Sequence, residues 1–360
     1  MRRFGVIIDE LYMKHSAGVG HPESPYRLKV IYDALKDKKY ADILFEIRPE
    51  NAKKEDILLV HTENYYRTIE NTQGLPYYYI DPDTATNQFS FDAAILAAGG
   101  VICGTKYVIQ HNNGPVFALV RPPGHHAEPD RGMGFCLFNN VAIGAMYARK
   151  RLGVNRVMIF DWDLHHGNGT QTTFYEDNTV LYISVHQFPH YPGTGSFDEV
   201  GSGKGAGFTI NIPFVAGAGD AEYIAVFEEI VKPVSKEFSP ELILISAGFD
   251  PHYDDPLGGM KLTSAGFTYL GKKIVELSLE VCKRHPVFVL EGGYSLKGLR
   301  ESVEGIILSC TGKKEVFETD SNVYGKPNAR YLQSIERVKN MHSKFWRCFQ
   351  VQDSGSIHDI

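Results

Sequence analysis

No Cys-x-x-Cys pair occurs in this chain, and its five cysteines (Cys103, Cys136, Cys282, Cys310 and Cys348) are odd in number and widely spaced. A disulfide framework is therefore not expected, and a reducing compartment, by default the cytoplasm, fits the pattern. Each thiol reads more simply as a small buried hydrophobe than as a redox centre. There is no basic stripe with interleaved aromatics, and the formal net charge is -6. Nucleic acid is therefore not expected as a partner. The apolar run Val6-Ile7-Ile8 behind Arg2 and Arg3 is too short for a signal peptide. No stretch approaches the ~20 apolar residues of a membrane span, so no membrane association is expected either. Neither a low-complexity linker nor an internal repeat divides the chain.

What the chain does contain is ordinary for a soluble globular protein: 43% hydrophobic and 22% charged residues in a length of 360, enough for a substantial core. Short apolar runs rich in β-branched residues stand at 116–120, 156–161, 179–185, 242–247 and 286–290. They do not alternate, as expected of parallel strands buried on both faces. Helix-like segments lie between and around them, at 91–110, 140–152, 221–237, 263–284 and 295–311. The alternation predicts an α/β fold, a parallel sheet with helices on both sides. Residues 328–349 read as a charged amphipathic helix. The expected organisation is one domain over 1–350 with a loose tail at 351–360.

In open α/β sheets ligands bind beyond the carboxyl ends of the strands, and the unusual polar strings begin there. The first run leads into Arg121-Pro-Pro-Gly-His-His126, the second into Asp161-Trp-Asp-Leu-His-His-Gly-Asn-Gly169. The fourth leads into Gly248-Phe-Asp250 and the fifth into Glu291-Gly-Gly-Tyr294. Any one of these acids alone reads as a strand-end cap. Together they suggest a metal site: Asp163 and His165, two residues apart, can point the same way, and Asp250 could complete the three-ligand set of a catalytic zinc. Two carboxylates make a hard, anionic site, so iron(II) or another divalent ion is also compatible. Asp161 is ambiguous. It could be a ligand, orient a histidine, or help hold a structural monovalent cation with Ser184.

Metal-assisted amide hydrolysis needs a base for the water proton and an acid for the leaving amine. A lone histidine is usually a packing or surface residue, but His125 and His126 are adjacent in a proline-stiffened loop at a strand end, and imidazole suits both roles near neutral pH. Asp161 would fix the tautomer of one ring and raise its pKa, while Asn168 could orient the other without adding charge. Tyr294 follows two glycines that permit a tight turn. Its phenol could then donate to an oxyanion.

At these residues the sequence resembles the histone deacetylase superfamily, its class II type and bacterial amidohydrolase relatives. Further matching strings are His21-Pro-Glu-Ser-Pro-Tyr-Arg-Leu28, Gly134-Phe-Cys-Leu-Phe-Asn-Asn140 and Tyr191-Pro-Gly-Thr-Gly195, all in family order across roughly residues 5–310. The resemblance implies the arginase/deacetylase fold, three layers with an eight-stranded mostly parallel sheet. It implies Asp163, His165 and Asp250 as ligands of one zinc ion and Tyr294 as the oxyanion donor. His126 would be the general base and acid, with His125 and Asp161 in support. Gly134, Phe135 and Tyr191 would line an acyl-lysine tunnel, with Asp83 and Leu257 at its rim. Potassium is implied near Asp161, Asp163, His165 and Ser184, and again near Phe174, Asp177 and Val180. Asn168 stands where class I members carry Asp.

Two departures narrow the reading. Gly167 and Gly248 stand where the related arginases place extra carboxylates for a second metal, which disfavours a binuclear manganese ureohydrolase. Leu257 stands where the animal polyamine deacetylases have a gatekeeper Glu. The expected substrate is an acetylated lysine or a small acetylated amine. A non-catalytic acyl binder is disfavoured because it has no need of Tyr294.

Overall fold

The computed structural model describes residues 3–312 and 324–350; the expected tail at 351–360 lies outside the described residues. Strands β1 (Phe4–Ile7), β2 (Leu44–Glu46), β3 (Tyr78–Tyr79), β4 (Ala85–Thr86) and β5 (Val116–Ala118) precede β6 (Val157–Asp161) and β7 (Val180–Gln187). They are followed by β8 (Thr209–Phe214), β9 (Leu242–Ala247) and β10 (Val287–Leu290). The helices are α1 (Tyr26–Leu35), α2 (Lys54–Ile57), α3 (Glu63–Glu70), α4 (Ser90–Gln110), α5 (Asn140–Arg151) and α6 (Asn168–Phe174). After them come α7 (Asp220–Val226), α8 (Lys232–Phe238), α9 (Ser264–Val281), α10 (Leu296–Thr311) and α11 (Ala329–His342).

Eight strands form one sheet in the order β2-β1-β5-β10-β9-β6-β7-β8, every pair parallel. Strands β3 and β4 make a separate antiparallel hairpin. Every residue of β5, β6, β9 and β10 is buried, which is why these runs are apolar without alternation. Helices α4 and α5 pack together, as do α9, α10 and α1, and the two groups cover the sheet as in the arginase/deacetylase fold.

Several elements differ from the sequence expectation. Strands β1, β2 and β8 are not anticipated by it. The first two span only four and three residues, too few for periodicity to speak. The predicted helix 221–237 is α7 and α8 joined through a π-helical turn at Phe227–Val231. Pro233, early in α8, has no N–H to continue the α-helical ladder, and the wider turn lies just before it. The predicted tail helix ends at His342, and beyond it Trp346 Nε1 donates to the Gly207 carbonyl at 2.8 Å. Helix α4, with 21 residues and a mean hydropathy of 1.4 over an 18-residue window, is long and apolar enough to cross a membrane, contrary to the expectation that no stretch approaches that. Two thirds of that window, 67%, is buried inside this fold, where α4 packs on α5, β5 and β10.

One buried carboxylate joins three parts of the chain around the site. Glu23 accepts from Arg121 Nη2 at 2.6 Å and from Arg27 Nη1 at 3.0 Å, with all three side chains fully buried. Arg121, just past β5, also donates to the Tyr12 carbonyl at 2.8 Å. Arg27, in α1, donates to the Gly293 carbonyl at 2.7 Å and so holds the turn after β10. Burial by itself would raise the Glu23 pKa, but Arg121 and then His15 and Arg27 hold it well below the usual carboxylate range. A pKa lowered in the folded state stabilises the fold above the unfolded value, about 4.3, and that contribution fades as pH falls through this range. Glu23→Gln leaves two guanidinium groups without their counter-charge. It is expected to lower unfolding free energy by about 3–5 kcal/mol at pH 7, measured by urea denaturation. The gap between variant and parent should narrow when the measurement is repeated below about pH 4.

Candidate metal centre and catalytic cavity

The four polar strings leave β5, β10, β9 and β6, which are consecutive in the sheet order. Their carboxyl ends are therefore side by side, and backbone hydrogen bonds sew them together. Asp161 Oδ1 accepts from the Asp163 N–H at 3.1 Å, and Asp163 Oδ1 accepts from the His165 N–H at 2.9 Å. Asp250 Oδ1, at the end of β9, accepts from the Leu164 N–H at 2.9 Å. Asp163 Oδ2 accepts from the Gly292 N–H beyond β10 at 2.8 Å. Asp161 and Asp250 thus each spend one lone pair on a backbone N–H, and Asp163 spends one on each of its oxygens, which fixes their directions and leaves further lone pairs for the centre.

Asp163 and Asp250 also converge on one imidazole. His165 Nδ1 lies 3.2 Å from Asp163 Oδ1 and 3.1 Å from Asp250 Oδ2. The three donor atoms all lie within 4.8 Å of one another, on buried residues. Burial, then Asp163 beside it, pushes Asp250 up to about 7. Burial opposes charge on His165, but Asp163 and Asp250 hold it up to about 10. These residues fit a divalent cation: two carboxylates and a ring nitrogen brought together in a buried pocket are a three-ligand donor set for one. Glycines leave room for the carboxylates. A Cβ on Gly248 would come within 2.0 Å of Asp163 Oδ2, and one on Gly292 within 2.2 Å of Asp250 Oδ2. At Gly167 a Cβ would meet Asp161 Oδ2 at 2.4 Å. Neither Gly167 nor Gly248 leaves space for the extra acid a second metal would need.

The adjacent histidines have opposite surroundings. His125 Nδ1 lies 3.0 Å from Asp161 Oδ2, which also accepts from the Tyr182 hydroxyl at 3.0 Å. Burial pulls the His125 pKa down, but Asp163 and Asp161 hold it up to about 10. His126 Nδ1 lies 2.8 Å from Asn168 Oδ1, and burial, His125 and His165 keep its pKa well below the ordinary value. One ring is a resident cation and the other a neutral base at pH 7, the separation an acid/base site needs.

A cavity of about 230 Å³ opens onto this centre, lined by His125, His126, His165, Tyr294, Gly134, Phe135, Tyr191, Leu257 and Asp83, among others. Gly134 takes a positive φ of 55°, and a Cβ there would strike the His126 ring at 2.4 Å. The β3–β4 hairpin fastens this wall: Asp83 Oδ1 accepts from the Gly134 N–H at 3.1 Å, and Thr84 Oγ1 accepts from the Phe135 N–H at 2.9 Å. The Phe135 ring stands edge-on to Tyr294 at 5.9 Å, and Tyr191 stands edge-on to His126 at 5.2 Å. Gly293 has a φ of 116°, the turn that sends Tyr294 into the cavity, with the Arg27 guanidinium over its ring at 5.1 Å. Burial raises the phenol's pKa well above its ordinary value, so it keeps its proton to donate.

The two expected potassium sets separate. Ser184 lies opposite Asp161 in strand register, with its hydroxyl 2.9 Å from His186 Nδ1. Phe174, Asp177 and Val180 lie at the α6–β7 connection, outside the cavity lining, and the Asp177 carboxylate accepts from the Thr179 N–H at 2.8 Å and from Arg149 Nη1 at 3.1 Å.

Sequence reasoning passed over several supporting residues. Glu291 Oε2 accepts from the Gly124 N–H at 2.7 Å and the His125 N–H at 3.1 Å, anchoring the histidine loop. Asp255 Oδ2 accepts from the Tyr294 N–H at 2.6 Å, and Asp255 Oδ1 accepts from the Leu257 N–H at 3.0 Å. His190 stacks on His165 at 5.2 Å and lines the cavity. Glu291 had a signal in its Glu-Gly-Gly-Tyr string; Asp255 and His190 had none, because the site residues they hold, Tyr294 and His165, are distant from them in sequence.

Residues 21–310 match the histone deacetylase domain family. The chain is 40% identical over 358 residues to a probable deacetylase of Archaeoglobus fulgidus, covering 96% of this chain and 99% of that protein. It is 38% identical to histone deacetylase 10, chloroplastic, of Oryza sativa subsp. japonica, covering 90% of this chain and 77% of that one. The crystal structure of the HDA15 HD domain superposes with a TM-score of 0.88 at 36% identity, covering 97% of this chain and 96% of that one.

The close approach of Gly292 to both acids generates a direct test of the centre. Gly292→Ala is expected to displace Asp250 and Asp163 and to cost about 1–3 kcal/mol of stability from overpacking. Divalent-metal affinity, measured by titration calorimetry on the folded variant, should fall by about 10–100-fold.

Proposed function

The chain belongs to the histone deacetylase family, a hydrolase of linear amides, and from that premise we propose that it is a zinc-dependent deacetylase acting on an acyl amine such as N-acetyl-lysine. The reading is carried by one convergence: Asp163, His165 and Asp250 bring their donor atoms together, and His165 lines the same cavity as His126 and Tyr294. Zinc held by those three residues would polarise the acyl carbonyl and acidify the attacking water.

The chain's own groups supply the rest. His126, neutral because it is buried beside two other histidines, takes the water proton and returns it to the departing amine nitrogen, so that a carboxylic acid and a free amine leave. His125, charged through Asp161 and Asp163, stays protonated and offsets negative charge developing nearby. Tyr294 donates its hydroxyl proton to the oxyanion formed as water adds to the carbonyl, a contribution of about 3 kcal/mol to the transition state. Phe135 and Tyr191 form apolar walls suited to an aliphatic chain, and Gly134 keeps that passage open. A potassium ion near Asp161, Asp163, His165 and Ser184 belongs to the same reading as a structural group. An acetylpolyamine or other small acetylated amine is the alternative substrate. Asp83 at the cavity, beside Asp81, favours a cation there, and Leu257 opposes it.

The test is a panel of acetyl-lysine peptides, longer acyl-lysines and acetylpolyamines, compared by kcat/KM with the zinc-loaded protein. Chelation should abolish turnover and zinc should restore it at one ion per chain; turnover indifferent to chelators would overturn the proposal. Tyr294→Phe should lower kcat about 10²–10³-fold while zinc content, measured by mass spectrometry, stays at that of the parent.

A further inference from the structure

Asn168 can orient His126 only if its own amide points one way, and a residue outside the cavity lining determines that. Asn168 Nδ2 donates to Glu128 Oε1 at 2.7 Å. Its other neighbours, the His126 carbonyl and Met133 Sδ, both at 3.4 Å, are acceptors too. A carboxylate accepts and never donates, so the amide nitrogen must face Glu128 and the amide oxygen must face His126. His126 Nδ1 must then carry the ring proton. Among the described residues nothing hydrogen-bonds His126 Nε2, so its lone pair is left for the cavity.

Glu128 is itself held in place. Its other oxygen, Oε2, accepts from Arg131 Nη2 at 2.8 Å, with the Glu128 side chain only 14% exposed. The Glu128 N–H donates to the Arg131 carbonyl at 2.9 Å, closing a tight turn through Pro129 and Asp130. The Thr62 N–H donates to the Pro129 carbonyl at 2.8 Å, and His61 Nδ1 meets the Glu128 carbonyl at 3.0 Å.

Resting on the deacetylase reading above, we propose that Glu128, clamped by Arg131, is a positioning residue that sets the tautomer of the general base His126 through the amide of Asn168. The substitution Glu128→Gln makes the proposal sharp. Arg131 has only donors, so it keeps the oxygen of the substituted side chain and turns the new NH2 toward Asn168. The Asn168 amide must then flip, present its own NH2 to His126 Nδ1, and move the ring proton to Nε2. The base is left with its lone pair facing away from the cavity.

Two measurements test this. With 15N-labelled histidine, in metal-free and zinc-loaded protein, His126 is identified by the loss of its signals in His126→Gln. The parent should show Nδ1 protonated and Nε2 bare, and Glu128→Gln the reverse. A parent ring protonated at Nε2, or a tautomer unmoved by Glu128→Gln, overturns the proposal. Kinetically, Glu128→Gln should lower kcat about 10–100-fold with KM little changed. In an Asn168→Asp background the sign should invert. A carboxylate at position 168 can only accept, and Glu128→Gln then replaces a facing carboxylate with a donor. An equal loss in both backgrounds marks a merely structural role and overturns the assignment. If the parent turns over no acyl amide, the deacetylase reading fails, while the tautomer measurement still decides the role of Glu128.

Discussion

Asp163 and Asp250 are fully buried and face the same imidazole, and nearly every local feature of the site answers to that. Two like charges about 4 Å apart repel by about 4 kcal/mol at an effective dielectric near 20, and each also loses its hydration. Such a pair persists only where a positive charge is shared between the acids and where backbone N–H groups supply part of the lost solvation. The structure provides these N–H groups from Leu164, His165 and Gly292. The glycines at 248 and 292 leave the carboxylates the space they need. A parallel sheet is suited to this, because it brings several chain segments to one edge pointing the same way.

The chemistry around that centre is a matter of unequal neighbours. His125 and His126 are consecutive, their ring centroids 4.0 Å apart, and identical in isolation. A carboxylate partner makes one a resident cation; an amide partner, together with the charge of the first, keeps the other neutral. The cation His125 thereby helps make His126 a base at pH 7. The same logic runs outward: Asn168 does not choose its own orientation but inherits it from Glu128, and Glu128 from Arg131. Control of the proton thus reaches from a largely exposed arginine to the ring at the centre, because Arg131 can only donate and the Glu128 carboxylate can only accept, which leaves the two-faced amide of Asn168 one orientation.

Stability and catalysis share parts. Glu23, Arg27 and Arg121 are a buried charge cluster of the kind that contributes little net stability but is costly to break. Here it lashes α1 and the end of β5 to the turn that carries Tyr294. The β3–β4 hairpin does comparable work on the opposite wall through Asp83 and Thr84. In both places a short, irregular segment is held by a polar side chain from a distant part of the sequence, so the cavity wall depends on tertiary contacts more than on local propensity.

Composition and pattern alone determined the α/β class, five of the eight sheet strands and the strand ends where the chemistry lies. Buried parallel strands must be apolar throughout, and the polar strings that follow them stand out against that background. The triad Asp163, His165 and Asp250 as a candidate metal set, the tandem histidines with Asp161 and Asn168 as candidate partners, and Tyr294 as a candidate donor were legible for that reason, while which ring pairs with which partner followed from the family resemblance. Strands β1 and β2 were not, being too short to show a period; the helix at 91–110 was expected on the sheet, but not that its apolar length matches a membrane span. Only the tertiary structure decided that β5, β10, β9 and β6 are neighbours, because strand order depends on crossover paths that leave no local trace. It alone assigned their roles to Glu291, Asp255, Glu128 and Glu23, since a carboxylate's role is set by the donor brought against it, and one such partner of each (the His125 N–H, the Tyr294 N–H, the Asn168 amide and Arg121) lies far away along the chain.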